Sequence, residues 1–386
     1  MAIGSDDNRP LFIRRRLAFA GAGALSYVLL LALQSHPSVT ERLYSTTISP
    51  LISRGLSRLT GLIPISLFEI VVILVVASAI VRSVLAIRAA LGRRRRWSNV
   101  AASGALVVAQ GVGIGLTLFY ALWGYNYVRP SLETRLGLSR GEAAGIDEIA
   151  QITGELVDAG EAAYLRLHGR ADAGVPTDMP GDRRSIIAGL DSGWSLATAR
   201  LGLASHSARR YGNPKSPWSS TVARYLGISG GMYFPFTGEA LVIGDLPAPQ
   251  RIKTMAHEQA HQRGNAVEGD ANALAYFVCV HSPDPLVRYA GISFARDQML
   301  VELARKDPRR WREESSRMGP GVRRDRAALR AYWARTAVAT DELANRVNDA
   351  TLRANRVRGG VQSYGRSTLI FIGFARRNGG KVVPTA

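Results

Sequence analysis

Three apolar runs in the first third of the chain constrain its fold more than anything that follows. Leu17 to Leu33, Leu62 to Val81 and Val100 to Trp123 each have the length a bilayer-crossing helix needs, about 17 to 25 mainly apolar residues. The first follows Arg14, Arg15 and Arg16, a start it shares with secretory signal peptides. Two further runs and a poor cleavage site after Gln34 favour a retained helix. Glu69, near the start of the second run, is tolerable at the interface or against a neighbouring helix. Tyr120, Trp123, Tyr125 and Tyr127 close the third run as an aromatic belt.

Charge then orients the runs. A formal net charge of +19 would by itself raise nucleic acid as a partner. The arginines, however, gather beside the apolar runs. Arg82, Arg88 and Arg93 to Arg96 lie between the second and third, against only Arg42, Arg54 and Arg58 between the first and second. The positive-inside rule puts the N-terminus and the arginine-rich loop in the cytoplasm. After three crossings, residues 124–386 lie outside, in the periplasmic or extracellular space. The expected setting is a multi-pass protein of the cell (inner) membrane whose partner is the lipid bilayer and not nucleic acid. The sequence does not speak to oligomeric state. Residues 271–280 and 368–375 are apolar but far too short to span. The single cysteine, Cys279, can make no intrachain disulfide and fits no zinc-cysteine spacing.

Residues 141–212 read as paired helices, with Ile146, Ile149, Ile152 and Leu156 at helical spacing and a Pro/Gly break around Pro176 to Gly181. Residues 227–249 change character, being rich in glycine, aromatic residues and Val/Ile. Pro235 inside them is tolerated in an edge strand and not in a central one, so a short edge strand or extended segment is expected there. Residues 305–335 are arginine-rich and read as a solvated helix face.

The chemistry gathers in TMAHEQAHQRG, residues 254–264. Pro247 and Pro249 before it and Gly264 after it punctuate a helix. On that helix His257 and His261 stand one turn apart on the same face, so both imidazoles can reach one ion. Glu258, rotated by about 100°, can reach a water beside that ion. This is the H-E-x-x-H arrangement of zinc metallopeptidases. A catalytic zinc takes three protein ligands and keeps a position open for water. The histidine that completes HExxHxxGxxH is missing, because Val267 stands there. The remaining candidates for the third ligand are Glu268, with Asn272 one turn later in an E-x-x-x-N element similar to the E-x-x-x-D of gluzincins, and Asp270. His281 is a poorer candidate because SPDP follows it, and His168 and His206 are isolated.

The segments WGYNYVRP, GMYFPFTGEA, MAHEQAHQRG, EGDANALAYFVC, NDATLRAN and GVQSYGR resemble, in this order, a bacterial family of membrane-anchored HExxH proteins known as domain of unknown function 3810. The resemblance covers nearly the whole chain and implies a zinc metallopeptidase. It implies no particular substrate, and it does not decide between Glu268 and Asp270.

The expected fold is mainly α: residues 1–123 form a membrane anchor of three transmembrane helices, and residues 124–386 a helical zincin-like domain with the short strand. The expected function is zinc-dependent hydrolysis of a peptide or protein substrate. His257, His261 and Glu268 would hold Zn2+, and Glu258 would be the base. Tyr364, with Arg366 behind it, is a candidate stabiliser of the oxyanion. The alternatives are a non-catalytic zinc-binding membrane scaffold and a hydrolase of cell-wall peptides.

Overall fold

In the computed structural model, which describes residues 9–92, 96–138, 144–228, 230–336, 341–355, 357 and 365–384, the first apolar run forms α1 (Arg9–Leu33). A continuous helical stretch follows, made of α2 (Pro37–Thr40), a wider π-helical segment over Glu41–Ile48, and α3 (Ser49–Thr60). The second and third runs form α4 (Leu67–Leu91) and α5 (Trp97–Leu122). Three helices, Phe12–Leu33, Leu67–Leu91 and Trp97–Leu122, are long and apolar enough to cross a membrane, and most of each surface lies open. Lipid is the solvent in which such a surface costs nothing. The chain is a membrane protein.

The second span starts at Leu67 and not at Leu62, because the chain bends through residues 63–65 around Pro64. Proline disfavours helical backbone in the residue before it. The helix then continues past Arg82 and Arg88. α1 and α5 run side by side in the same direction: Arg16 reaches Ser103 at one end and Tyr125 Oη donates to Ser26 O at the other. Between these ends Gly23 and Gly113 bring the two backbones into contact. α4 stands largely apart and is tied at its start, where Glu239 accepts from the backbone N–H groups of Leu67 and Phe68 at 3.0 and 2.9 Å. Glu69 is buried at that end and accepts from Trp218 N. Its charge is thus spent on a backbone amide.

After α5 come a 3₁₀ turn (Gly124–Val128), α6 (Leu132–Arg135), α7 (Ile146–His168), α8 (Arg184–Leu201) and α9 (Ser220–Tyr225). The hairpin β1 (Gly231–Phe234) and β2 (Glu239–Val242) leads into α10 (Ala248–Gln262), α11 (Glu268–Val280) and α12 (Pro285–Lys306). α13 (Pro308–Ser316), α14 (Pro320–Thr336), α15 (Asp341–Ala354) and α16 (Ser367–Arg377) complete the described helices. The fold is mainly α with one small sheet.

Packing follows from composition. ANALAYFVCV, apolar all round, becomes the buried centre of α11, as a helix without a polar face must. α8, α10, α12 and α16 surround it, and Tyr276, Phe277, Phe371 and Phe374 interlock at its lower half. In place of a single edge strand, residues 231–242 make an antiparallel hairpin pairing Gly231 with Val242 and Phe234 with Glu239. Pro235, which has no N–H for a ladder, ends β1 and opens the turn. Lys215 bridges the far side of β2 at Leu241, so among the described residues the outer edge of β1 is unpaired.

The stretch between the first two spans packs onto the later part of the chain. Ser45, Ser49, Ser53 and Ser57 recur every fourth residue and are all buried. Ser53 Oγ donates to Gln262 O at 2.6 Å and lies 2.9 Å from Tyr233 Oη, and Ser49 Oγ accepts from Asn126 Nδ2 at 2.8 Å. Small hydroxyl side chains let α3 approach closely, and that of Ser53 satisfies the Gln262 carbonyl at the end of α10.

Candidate metal centre

α10 begins beyond Pro247, with Pro249 in its first turn where the missing N–H costs nothing. Every residue from Ile252 to Gln262 is buried. The helix stops because Gly264 adopts φ +77°, a left-handed conformation that side-chain-bearing residues rarely take. A Cβ there would also lie 3.0 Å from Asn126 Oδ1. The sharp reversal allows α11 to start at Glu268, directly opposite the last turn of α10.

Three ligand-type atoms converge as a result. His257 Nε2 and His261 Nε2 are 3.1 Å apart, and Glu268 Oε2 lies 3.1 Å from the first and 3.5 Å from the second. Ligand atoms around one tetrahedral zinc, each about 2.0 to 2.1 Å from it, lie about 3.4 Å from one another. The spacing fits. His261 Nδ1 is 2.7 Å from Asn265 O, a contact that places a proton on Nδ1 and directs Nε2 into the cluster. The electrostatics point the same way. Burial pulls His261 down, but the Glu268 carboxylate outweighs it and holds the imidazole up at about 9. Burial drives His257 down to about 4, with Lys253 adding to the effect. Although burial opposes it, the His261 and His257 imidazoles hold Glu268 well below the usual carboxylate range. In the cluster as it stands the protonated His261 balances the buried Glu268 carboxylate, a place that a bound cation would take over.

Asp270 is not part of the cluster. Its Oδ2 accepts from Leu132 N at 2.7 Å and pairs with Arg135 at 3.5 Å, capping the start of α6. His281 is turned away, its Nδ1 2.7 Å from Phe277 O. Asn272 accepts from Lys253 Nζ at 2.7 Å through its Oδ1, and His257 Nδ1 has no hydrogen-bond partner among the described residues. Tyr364 lies outside the described residues. Arg366, beside it in sequence, pairs with Glu133 at 3.3 Å.

Comparison with known proteins gives one finding. Residues 44–372 match the profile of a family described as protein of unknown function (DUF3810). The chain belongs to this family. No curated protein and no solved structure matches it.

The DUF3810 match begins inside the π-helical segment, and this segment joins the site's support. Glu41 makes a bidentate pair with Arg129 at 2.7 and 2.9 Å, and Arg129 Nη1 donates to Gly264 O at 3.1 Å. Trp123, at the end of α5, donates its indole N–H to His261 O at 2.8 Å. Its ring also faces the His261 imidazole, with centroids 6.0 Å apart. The expected aromatic belt therefore turns inward: Tyr120 and Trp123 are buried, each with its polar atom bonded to protein.

Beside the cluster opens a cleft of about 390 Å³, lined among others by Gly231, Lys253, His257, Glu258, Phe294 and Trp333. Glu258 lies at its floor, and burial pushes its carboxyl up to about 8. Gly231 of β1 passes directly above: a Cβ at that position would fall 2.6 Å from Glu258 Oε1 and 2.8 Å from Leu241 O. Lys253, one turn before His257, is buried in the same wall. Burial lowers its ammonium to about 8, with Glu258 and Glu268 opposing. Neither Gly231 nor Lys253 stands out in the sequence; only the packing of the hairpin over α10 brings them to the site.

Proposed function

We propose that this protein is a membrane-anchored, zinc-dependent metallopeptidase that hydrolyses peptide bonds on the outer face of the membrane. The observation that carries the reading is the convergence of His257 Nε2, His261 Nε2 and Glu268 Oε2 next to a cleft floored by Glu258. These three residues would hold the ion. Among the described residues no fourth His, Cys, Asp or Glu side chain joins them, and structural zinc sites are closed by four. When bound, zinc supplies Lewis acidity, activating water and polarising a substrate carbonyl.

The chain's own residues supply the rest. Glu258, whose burial makes its ionised carboxylate a stronger base, accepts in that form a proton from the attacking water and returns it to the leaving amine. The outer edge of β1, which no described strand pairs, offers backbone groups to an extended peptide, which would lie across the cleft as an added strand. Arg88 in the last turn of α4, Arg96 just before α5 and Arg16 in the first half of α1 lie at the opposite ends of the spans from Trp123 and the site. With the arginines inside, the cleft faces outward.

The test is digestion of a complex peptide mixture by the full-length, zinc-loaded protein in nanodiscs, with mass spectrometry of the new termini. Wild type should generate termini that a chelator abolishes and that Glu258→Gln does not produce. No new termini from wild type, or the same set from Glu258→Gln, would overturn the reading.

A further inference from the structure

A lysine is almost never fully buried unless it is paired with a carboxylate. Lys253 breaks this pattern. It is 7 % exposed, yet it makes no ion pair with any described carboxylate. Its Nζ donates to the amide oxygen of Asn272 at 2.7 Å and sits 4.1 Å above the centre of the Phe294 ring. An ammonium carries three donors. One is used by Asn272, and the ring face favours the charge without consuming an acceptor. Capacity remains, and the side chain lines the cleft together with His257 and Glu258.

The other charges of the cleft do not neutralise it. Asp297 is held by Arg296 Nε at 3.0 Å and by Arg326 Nε at 2.9 Å. Glu258 is packed beneath Gly231 and serves as base in the reading above. An anion entering the cleft would find in Lys253 a cation that Glu258 and Glu268 favour only from a distance and that no described carboxylate pairs with directly. Binding one there would complete a buried pair whose desolvation has already been met on the protein side, the condition under which such pairs add affinity.

We propose that Lys253 recognises a substrate carboxylate, so that this site acts on peptides carrying a carboxylate one or two residues from the bond that is cut. The reach follows from helix geometry. Lys253 and His257 share one face of α10, with Cβ atoms about 5 to 6 Å apart, and an extended peptide advances about 3.3 to 3.6 Å per residue. The carboxylate comes either from an Asp or Glu side chain or from a free C-terminus. This inference rests on the metallopeptidase reading for the position of the cut bond, but the recognition itself does not require turnover.

The experiment therefore measures binding and cleavage separately. Full-length Glu258→Gln protein in nanodiscs is titrated with fluorescent pentapeptides bearing Asp or Glu against Asn or Gln at each position, with free or amidated C-termini. Carboxylate-bearing probes should bind at least about tenfold tighter than their neutral partners. The position and form of the preferred carboxylate then identify its source. Adding Lys253→Met should abolish the preference, and Lys253→Arg should keep it. Lys253→Met should melt at or above the wild-type temperature, since it removes a buried charge that lacks a carboxylate partner. A second measurement needs no substitution: glutarate, unlike glutaramide, should protect Lys253 of the wild-type protein from reductive methylation. No preference in the Glu258→Gln protein, a preference that survives Lys253→Met, or equal methylation with both compounds would overturn the proposal. If carboxylate probes bind through Lys253 but zinc-loaded wild type cleaves none of them, the recognition site stands and the peptidase reading fails.

Discussion

The indole N–H of Trp123 is 2.8 Å from the backbone carbonyl of His261. One residue closes the third membrane-crossing helix and the other is a ligand of the candidate metal centre, so the site stands one hydrogen bond away from the end of a span. Ser53 from the first connection binds Gln262 O, and Arg129 binds Gly264 O. The last turn of α10 is thus held from three sides by residues that flank the membrane helices. This anchoring holds the candidate metal centre beside the end of the third apolar helix.

Trp123→Phe keeps an aromatic ring, though a smaller one, and removes the donor. The His261 carbonyl then loses a buried hydrogen bond, a cost of about 1 kcal/mol, and the ligand it belongs to is less firmly placed. Zinc affinity measured by competition with a chelating dye should fall by about fivefold, with the helical content unchanged. An unaltered affinity would separate the span from the site.

Glu268 and Asp270 lie two residues apart and have different work. Glu268→Ala should abolish zinc binding while leaving the fold intact, because the carboxylate has no other described partner than the two imidazoles. Asp270→Asn should retain zinc and lower stability by about 1 to 3 kcal/mol, since it weakens the buried bonds to Leu132 N and Arg135. Elemental analysis and thermal denaturation of both variants check this. Loss of zinc from Asp270→Asn alone would reverse the assignment.

Gly231→Ala introduces a methyl group 2.6 Å from Glu258 Oε1 and 2.8 Å from Leu241 O. Neither the strand nor the base can keep its place. Hydrolysis should fall by at least about a hundredfold, the scale of losing a well-placed general base, while zinc content stays the same. A fully active Gly231→Ala would show that β1 does not lie over the reacting groups.

Leu62, in the turn before α4, and Leu91, the last residue of α4, are 81 % and 69 % exposed. Cys279, the only native thiol, is buried. In intact cells an impermeant maleimide should label Leu62→Cys directly and Leu91→Cys only after permeabilisation. The reverse pattern would place the cleft in the cytoplasm.

The spans, the helix carrying His257 and His261, and its glycine stop were legible in the sequence because each is written in local periodicity or punctuation. The choice between Glu268 and Asp270 was not. Asp270 is taken out of the cluster by Leu132, 138 residues away, and no local pattern encodes such a partner. The hairpin was half legible: Pro235 marks the end of β1, but β2 requires knowing that residues 239–242 fold back. The seryl stripe of α3 reads as a polar linker until α10 is placed against it. Lys253 reads as an ordinary surface lysine on a helix until α11 and α12 bury it.

The hydrolytic role proposed for the cleft depends on one metal ion held jointly by His257, His261 and Glu268. The most direct test is the zinc content of the gently purified full-length protein, beside His257→Ala, His261→Ala and Glu268→Ala variants that remain folded. The wild-type chain should carry about one zinc, fitting a single site of three protein ligands, and each variant almost none. A wild-type protein that neither carries zinc nor takes it up, or variants that bind it as well as wild type, would contradict that role.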